Sequence, residues 1–275
     1  MQTVVVTDPE DRALAALWNL RDAEVLRARH QFIAEGRLVV GRVLEDPRYV
    51  VRALLVNPAA RRALEPQLTR STFRGTVYEC DTAGFAAITG FNIHRGCLAL
   101  VDRPPDQAWQ QQVAADGPVV VLEGVTDPDN VGAAFRNAAA FGAAAVLLSP
   151  ACCDPLYRKA LRTSMGAVLR VPYARLDPWP GSLADVKHAG RTIAALSPRA
   201  PSTPLASFTR EYGGHPIALL VGTEGAGLTD DAEALADLRV SIPMAAGVDS
   251  LNLAVATGIA LHATFAARPA HGAWP

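Results

Sequence analysis

Three short stretches of the chain hold polar side chains at spacings that could face a ligand in one shared mouth. The first, DPDNVGAAFRNAAAFG from Asp127 to Gly142, sets Asn130, Gly132 and Arg136 in an otherwise alanine-rich segment. A guanidinium offers a planar fork of donors, and a carboxamide offers both a donor and an acceptor. The second, VGTEGAGL, embeds Glu224 among glycines at 222, 225 and 227. Such a loop can turn sharply with its N–H groups facing a ligand, and its acid could orient an arginine or a ligand amine. In the third, PMAAGVDSLN, Ser250 is expected to cap the helix that follows and Asn252 to point its carboxamide into the same mouth.

Other chemistries lack their residues. Cys80, Cys97, Cys152 and Cys153 have neither zinc-ligand nor redox spacing, so reduced, mostly buried thiols are expected and no metal. None of the six histidines falls within the three stretches, and no Ser/His/acid triad emerges. The second stretch departs from the dinucleotide fingerprint, lies late in the chain and has no P-loop lysine, which argues against a nucleotide-dependent dehydrogenase.

The elements that must carry these stretches are legible from periodicity. Apolar runs at 119–124, 144–149, 168–173, 191–197, 216–222 and 239–243 alternate with helical stretches and show no polar face. That pattern predicts a parallel sheet covered on both sides, with ligands beyond the carboxyl ends of its strands. The three polar stretches follow the first, fifth and sixth of these runs. Asp129 or Asn130 is expected to cap the first helix and Gly142 to end it. Because helical Cα–Cβ bonds tilt toward the N-terminus, Arg136 would reach back to share a mouth with Asn130. Asn130 could equally serve only as a cap, and Arg136 only as a solvated side chain.

Upstream, VVRALLVN (50–57), the helical PAARRALEPQL (58–68), TVYEC (76–80), TAGFAAIT (82–89) and CLALV (97–101) form a smaller α/β unit. The proline- and glutamine-rich stretch from Asp102 to Pro118 marks the boundary. This predicts domains at 1–106 and 117–275. With 275 residues and half of them hydrophobic, the chain can bury a core in each.

No apolar run reaches the roughly 18 residues of a membrane span, and the N-terminal MQTVVVTDPEDR has acids where a signal peptide has bases, so a cytoplasmic protein is expected. The net charge of −1 argues against a uniformly basic nucleic-acid surface. Between positions 136 and 175, however, Arg136, Arg158, Lys159, Arg162, Arg170 and Arg175 are opposed only by Asp154.

The stretches NVGAAFR, TSMGAVLRVP, LLVGTEGAGL and IPMAAGVDSLNLAVA, in this order, resemble the SpoU/TrmH family of RNA ribose methyltransferases. The resemblance runs from Val119 to about Ala267, and ARHQFIAEGRLVVGRVL upstream is similar to the family's N-terminal substrate-binding domain. It implies a SPOUT-like α/β catalytic domain with a deep trefoil knot, a homodimer with composite active sites, no membrane partner, and methylation of a ribose 2′-hydroxyl. Ribosomal RNA is favoured as substrate over transfer RNA, and a catalytically inactive RNA-binding relative is the alternative. It implies S-adenosylmethionine held by Leu196, Ser197, Gly222, Thr223, Glu224, Gly225, Ile242, Met244, Ser250 and Leu251. Asn130, Arg136, Glu224, Ser250 and Asn252 are implied as catalytic. The family usually has glycine where Ala246 stands and serine where Ala254 stands; Ala246 would narrow the cofactor loop and Ala254 remove a polar contact.

Overall fold

A computed structural model describes residues 1–18, 20, 23–90 and 96–268, which divide into two compact units. The first comprises Met1–Pro105 together with Leu156–Leu169. Its strands are β1 (Gln2–Val5), β2 (Gln31–Glu35), β3 (Val51–Val56), β4 (Thr76–Glu79) and β5 (Cys97–Asp102), in the order β1-β4-β3-β5-β2. β1, β4 and β3 run parallel, and β5 is antiparallel to both β3 and β2. The helices are α1 (Ala23–Ala28), α2 (Arg37–Glu45), α3 (Pro58–Ala63), α4 (Glu65–Arg70) and α5 (Thr82–Thr89). Asn57 starts α3 by accepting from the Ala60 N–H at 2.8 Å, and Pro58 supplies a first position that needs no donor. The core joins Leu14, Leu17, Ile33, Leu55, Phe85 and Leu98.

Leu156–Leu169 belongs to this unit although sequence patterning places it in the later domain. Arg158 pairs with the buried Glu35 at 2.7 Å, Arg42 donates to the Met165 carbonyl at 2.6 Å, and the Tyr49 hydroxyl donates to the Leu169 carbonyl at 3.0 Å.

The second unit, Asp106–Pro155 with Arg170–Pro275, opens on α6 (Trp109–Val113). Its strands are β6 (Val119–Leu122), β7 (Ala145–Leu148), β8 (Tyr173–Arg175), β9 (Thr192–Leu196), β10 (Thr203–Pro204), β11 (Ile217–Val221) and β12 (Leu238–Ser241). They lie in the order β10-β12-β9-β11-β6-β7-β8, all parallel, as the unalternating apolar runs require. The intervening helices are α7 (Pro128–Ala140), α9 (Ser182–His188), α10 (Leu205–Tyr212), α11 (Asp230–Ala234) and α12 (Leu253–Ala267), while α8 (Arg158–Thr163) lies in the first unit. β6, β7 and β11 are wholly buried.

One expected strand is displaced. Instead of a strand over 168–173, Ala167–Leu169 forms a 3-10 turn and β8 begins at Tyr173. Met165 (φ 53) and Gly166 (φ 73) turn the chain, and Pro172 has no N–H to give the ladder, so pairing starts only beyond it. At the entry to β6, the buried Arg191 donates to the carbonyls of Val113 (2.6 Å), Gly117 (2.7 Å), Ile217 (3.1 Å) and Ala115. That side chain fixes the turn leading from α6 into the sheet.

Candidate active site

Three strands of the parallel sheet, β9, β11 and β12, deliver their carboxyl ends to one cavity of about 620 Å³, within the usual size range of small-ligand sites. β9 contributes Leu196 and Ser197, β11 leads into Gly222, Thr223, Glu224 and Gly225, and the chain beyond β12 adds Ile242, Met244, Ser250 and Leu251. All ten residues expected to hold a cofactor therefore lie on this wall. The loop after β11 is folded on itself, with Gly227 N–H donating to the Thr223 carbonyl at 3.0 Å. A Cβ on Gly222 would run into the backbone of Gly227 and Leu228, so the tight closure requires glycine there.

Sequence reasoning missed Arg199 and Asp249, which also line the cavity; Asp249 lies inside a stretch already singled out, whereas nothing around Arg199 marks it. Arg199 is engaged by Asp230 at 2.7 Å and Glu233 at 3.2 Å. Burial alone would raise the pKa of Glu233, but hydrogen bonds from Ser197 and Arg239 and the charges of Arg239 and Arg199 hold it below the usual carboxylate value. With Arg199 neutralised by its partners, Glu224 and Asp249 leave the cavity suited to a cationic ligand.

Asn252 ties the site together. Its Oδ1 accepts from the N–H groups of Ala254 (2.9 Å) and Val255 (3.2 Å), making it the N-cap of α12. Its Nδ2 donates to Asn130 Oδ1 at 3.0 Å and to Glu224. One carboxamide thus joins α12, the first turn of α7 and the glycine loop. Both expected caps need correction. Ser250 does not cap α12, since the N-cap lies two residues later, at Asn252. Asp127, not Asp129 or Asn130, caps α7 by accepting from Asp129 N–H at 2.9 Å, because Pro128 occupies the first helical position. Gly142 follows the helix with φ 61, as expected of a terminating glycine.

Asn130, Glu224, Ser250 and Asn252 come together; Arg136 does not join them. It is exposed on α7 and is not among the residues lining the cavity. Six residues beyond Asn130 on a helix lies about 9 Å further along the axis and about 120° around it. Ala246 is likewise away from the lining, whereas Ala254 is buried and its carbonyl accepts from Asn137 Nδ2 at 2.6 Å.

Beside the cavity, α7 and α12 pack together, with Gly258 drawn close against Asn137. α12 is apolar on more than one side: Leu253 and Leu261 are buried, while Val255, Ile259 and Phe265 remain 50%, 39% and 48% exposed. The open face forms a shallow apolar depression with Ala133, Phe141 and His262. Among the described residues, no cluster of His, Cys, Asp and Glu could hold a metal ion, and no helix is long and apolar enough to cross a membrane.

Residues 117–262 match the SpoU rRNA methylase family. Over 261 residues the chain is 39% identical to an uncharacterised tRNA/rRNA methyltransferase of Mycobacterium tuberculosis, covering 94% of this chain and 90% of that protein. It is 29% identical to the 23S rRNA (guanosine-2′-O-)-methyltransferase RlmB of Nitrosomonas europaea, over 86% of this chain and 91% of that one. The crystal structure of the SpoU methyltransferase AviRb from Streptomyces viridochromogenes, in complex with the cofactor AdoMet, superposes with a TM-score of 0.73 at 25% identity, covering 92% and 96% of the two chains.

Proposed function

Because the chain belongs to the SpoU rRNA methylase family, we propose that it is a homodimeric enzyme that methylates a ribose 2′-hydroxyl in ribosomal RNA, using S-adenosylmethionine. The observation that carries this reading is the cavity at the strand ends, where the glycine loop, the chain beyond β12 and the start of α12 converge. The guanosine-2′-O specificity in the name of the Nitrosomonas relative and the AdoMet bound to AviRb support it.

The cavity fits that cofactor. Leu196, Ile242, Met244 and Leu251 offer apolar walls for an aromatic base, and Glu224 and Asp249 complement a positively charged group. When bound, the sulfonium supplies the electrophilic methyl, so the protein's task is chiefly orientation. Asn130 and Asn252 would fix the ribose edge, Ser250 would shape the opening, and Glu224 would hold Asn252 and the loop in register. Arg136, with its planar fork of donors, would act as a clamp on the neighbouring phosphate that also stabilises charge developing on the oxygen. Since Arg136 is exposed outside its own chain's cavity, it would serve the cavity of a second copy docked on the apolar face of α7 and α12.

On this reading residues 1–106 recognise the RNA and residues 117–275 form the catalytic domain, knotted where the loops after β11 and β12 enclose the cofactor. The enzyme would act in the cytoplasm, where its substrate is. Mass spectrometric mapping of ribose-methylated nucleotides in ribosomal and transfer RNA, from cells with and without the gene, tests the proposal. One 2′-O-methyl group lost from ribosomal RNA is expected; a loss confined to transfer RNA would move the substrate, and no loss would remove the activity.

A further inference from the structure

Glu123, the residue that follows β6, is 5% exposed, and its backbone N–H and both carboxylate oxygens reach the two ends of one loop. Its backbone N–H donates to the Val221 carbonyl at 2.9 Å, where β11 gives way to the glycine loop. Its side chain holds the other end: Oε2 accepts from Thr229 N–H at 2.9 Å and Oε1 from Thr229 Oγ1 at 2.6 Å. Oε1 also accepts from Trp179 Nε1 at 2.9 Å. Between Val221 and Thr229 lie Gly222–Leu228, all of which line the cavity. β-Sheet pairing fixes the upstream end of that loop, Gly227 bonds back to Thr223 and Leu228 packs into the core, and the Glu123 carboxylate adds the side-chain hold at Thr229, directly before the short α11.

We infer that Glu123 is a positioning residue of the cofactor site, clamping both ends of the loop 222–228 so that its backbone is preset for the ligand; this rests on the cofactor assignment proposed above. Two acceptor oxygens are needed because three donors face the carboxylate. Glu123→Gln keeps the shape but leaves one acceptor and turns an N–H₂ group toward donors. A loop no longer held at Thr229 must be ordered during binding, which weakens affinity without altering the reacting groups.

The test measures calorimetric affinity for S-adenosylmethionine, melting temperature, and kcat at saturating cofactor with ribosomal RNA from a strain lacking the gene. Glu123→Gln should bind the cofactor about tenfold or more weakly, the scale of a lost hydrogen bond to a charged group, with kcat near that of the parent. Trp179→Phe and Thr229→Ser keep both Thr229 contacts and should bind like the parent. Arg191→Gln, which disturbs the far end of the sheet, should lower the melting temperature without moving affinity. Parent-like binding by a folded Glu123→Gln would overturn the inference, as would equal losses of affinity in Glu123→Gln, Trp179→Phe and Arg191→Gln. Should Glu123→Gln not fold, Thr229→Val decides, with weakened binding expected and unchanged binding fatal. Failure of the parent itself to bind would sink the cofactor reading instead.

Discussion

Asn252 and Asn130 are 122 positions apart in sequence, and their side chains meet in a 3.0 Å hydrogen bond that joins the first turns of α12 and α7. Asn252 uses both ends of its carboxamide, the oxygen to cap its own helix and the nitrogen to reach Asn130 and Glu224.

That division of labour separates stability from binding. Asn252→Asp retains an oxygen for the cap but cannot donate to Asn130, and it places a second carboxylate against Glu224. Asn252→Ala loses both functions, and the cap alone is worth about 0.5–2 kcal/mol. Thermal melting should therefore fall more for Asn252→Ala, whereas calorimetric cofactor binding should be impaired in both. Normal binding by Asn252→Asp would show that the bridge to Asn130 and Glu224 is dispensable.

In the first unit, burial pushes the Tyr49 hydroxyl up from 10.0 to about 12, while Arg48 partly opposes the shift. The folded state favours the neutral phenol, which donates to the Leu169 carbonyl. Its stabilising contribution is complete below pH 10 and is lost as the pH rises through about 12. Tyr49→Phe should cost about 0.5–1.5 kcal/mol at neutral pH and remove this part of the alkaline decline. Denaturant melts at pH 8 and pH 11, with phenolate absorbance followed in parallel, check the sign.

Much of the sheet is legible because β6, β7, β9 and β11 are short, largely apolar runs without alternation, the pattern of a doubly covered parallel sheet. β8 was misplaced because VLRVPY has the same character, and only the turn at Met165 and Gly166 sends its first half elsewhere. In the first unit β1, the exposed edge strand, and α1 carry too little periodicity to be seen. Caps were ambiguous for a different reason. Asp127, Asp129 and Asn130 are all capping types within four positions, and Pro128 is the one local sign favouring the first. Ser250 and Asn252 cannot be ranked locally, since what selects Asn252 is its tertiary contact with Asn130 and Glu224. The residues of the cavity wall are readable as a family motif, but the exposure of Arg136 depends on helix phase relative to a neighbour, which a motif does not record.

The apolar face of α12 gives a prediction about assembly. Val255, Ile259 and Phe265 are exposed on a helix whose other side is already buried, which is more apolar surface than one chain uses. Light scattering should give about twice the single-chain mass of 29.1 kDa. Ile259→Glu puts a charge in the centre of the face while keeping a good helix former, and should shift the mass to the monomer. A parent mass of 29.1 kDa at working concentration would refute the homodimer.

Arg136 tests the composite site directly. The side chain is exposed on α7, so Arg136→Ala should leave the melting temperature nearly unchanged and cofactor affinity intact. The rate of RNA methylation should nevertheless fall by about 10²-fold or more, as when other charge-stabilising donors are removed. Arg136→Lys keeps the charge but not the planar fork, and a bidentate phosphate clamp should still fail. Mixing Arg136→Ala with Asn130→Ala then distinguishes service within one chain from service across two. If each cavity draws its arginine from the partner, mixed dimers regain one intact site by combining the Arg136 of one chain with the Asn130 of the other, and activity rises above either variant alone. If the arginine acts within its own chain, every mixed dimer has two defective sites and activity stays at the level of the separate variants.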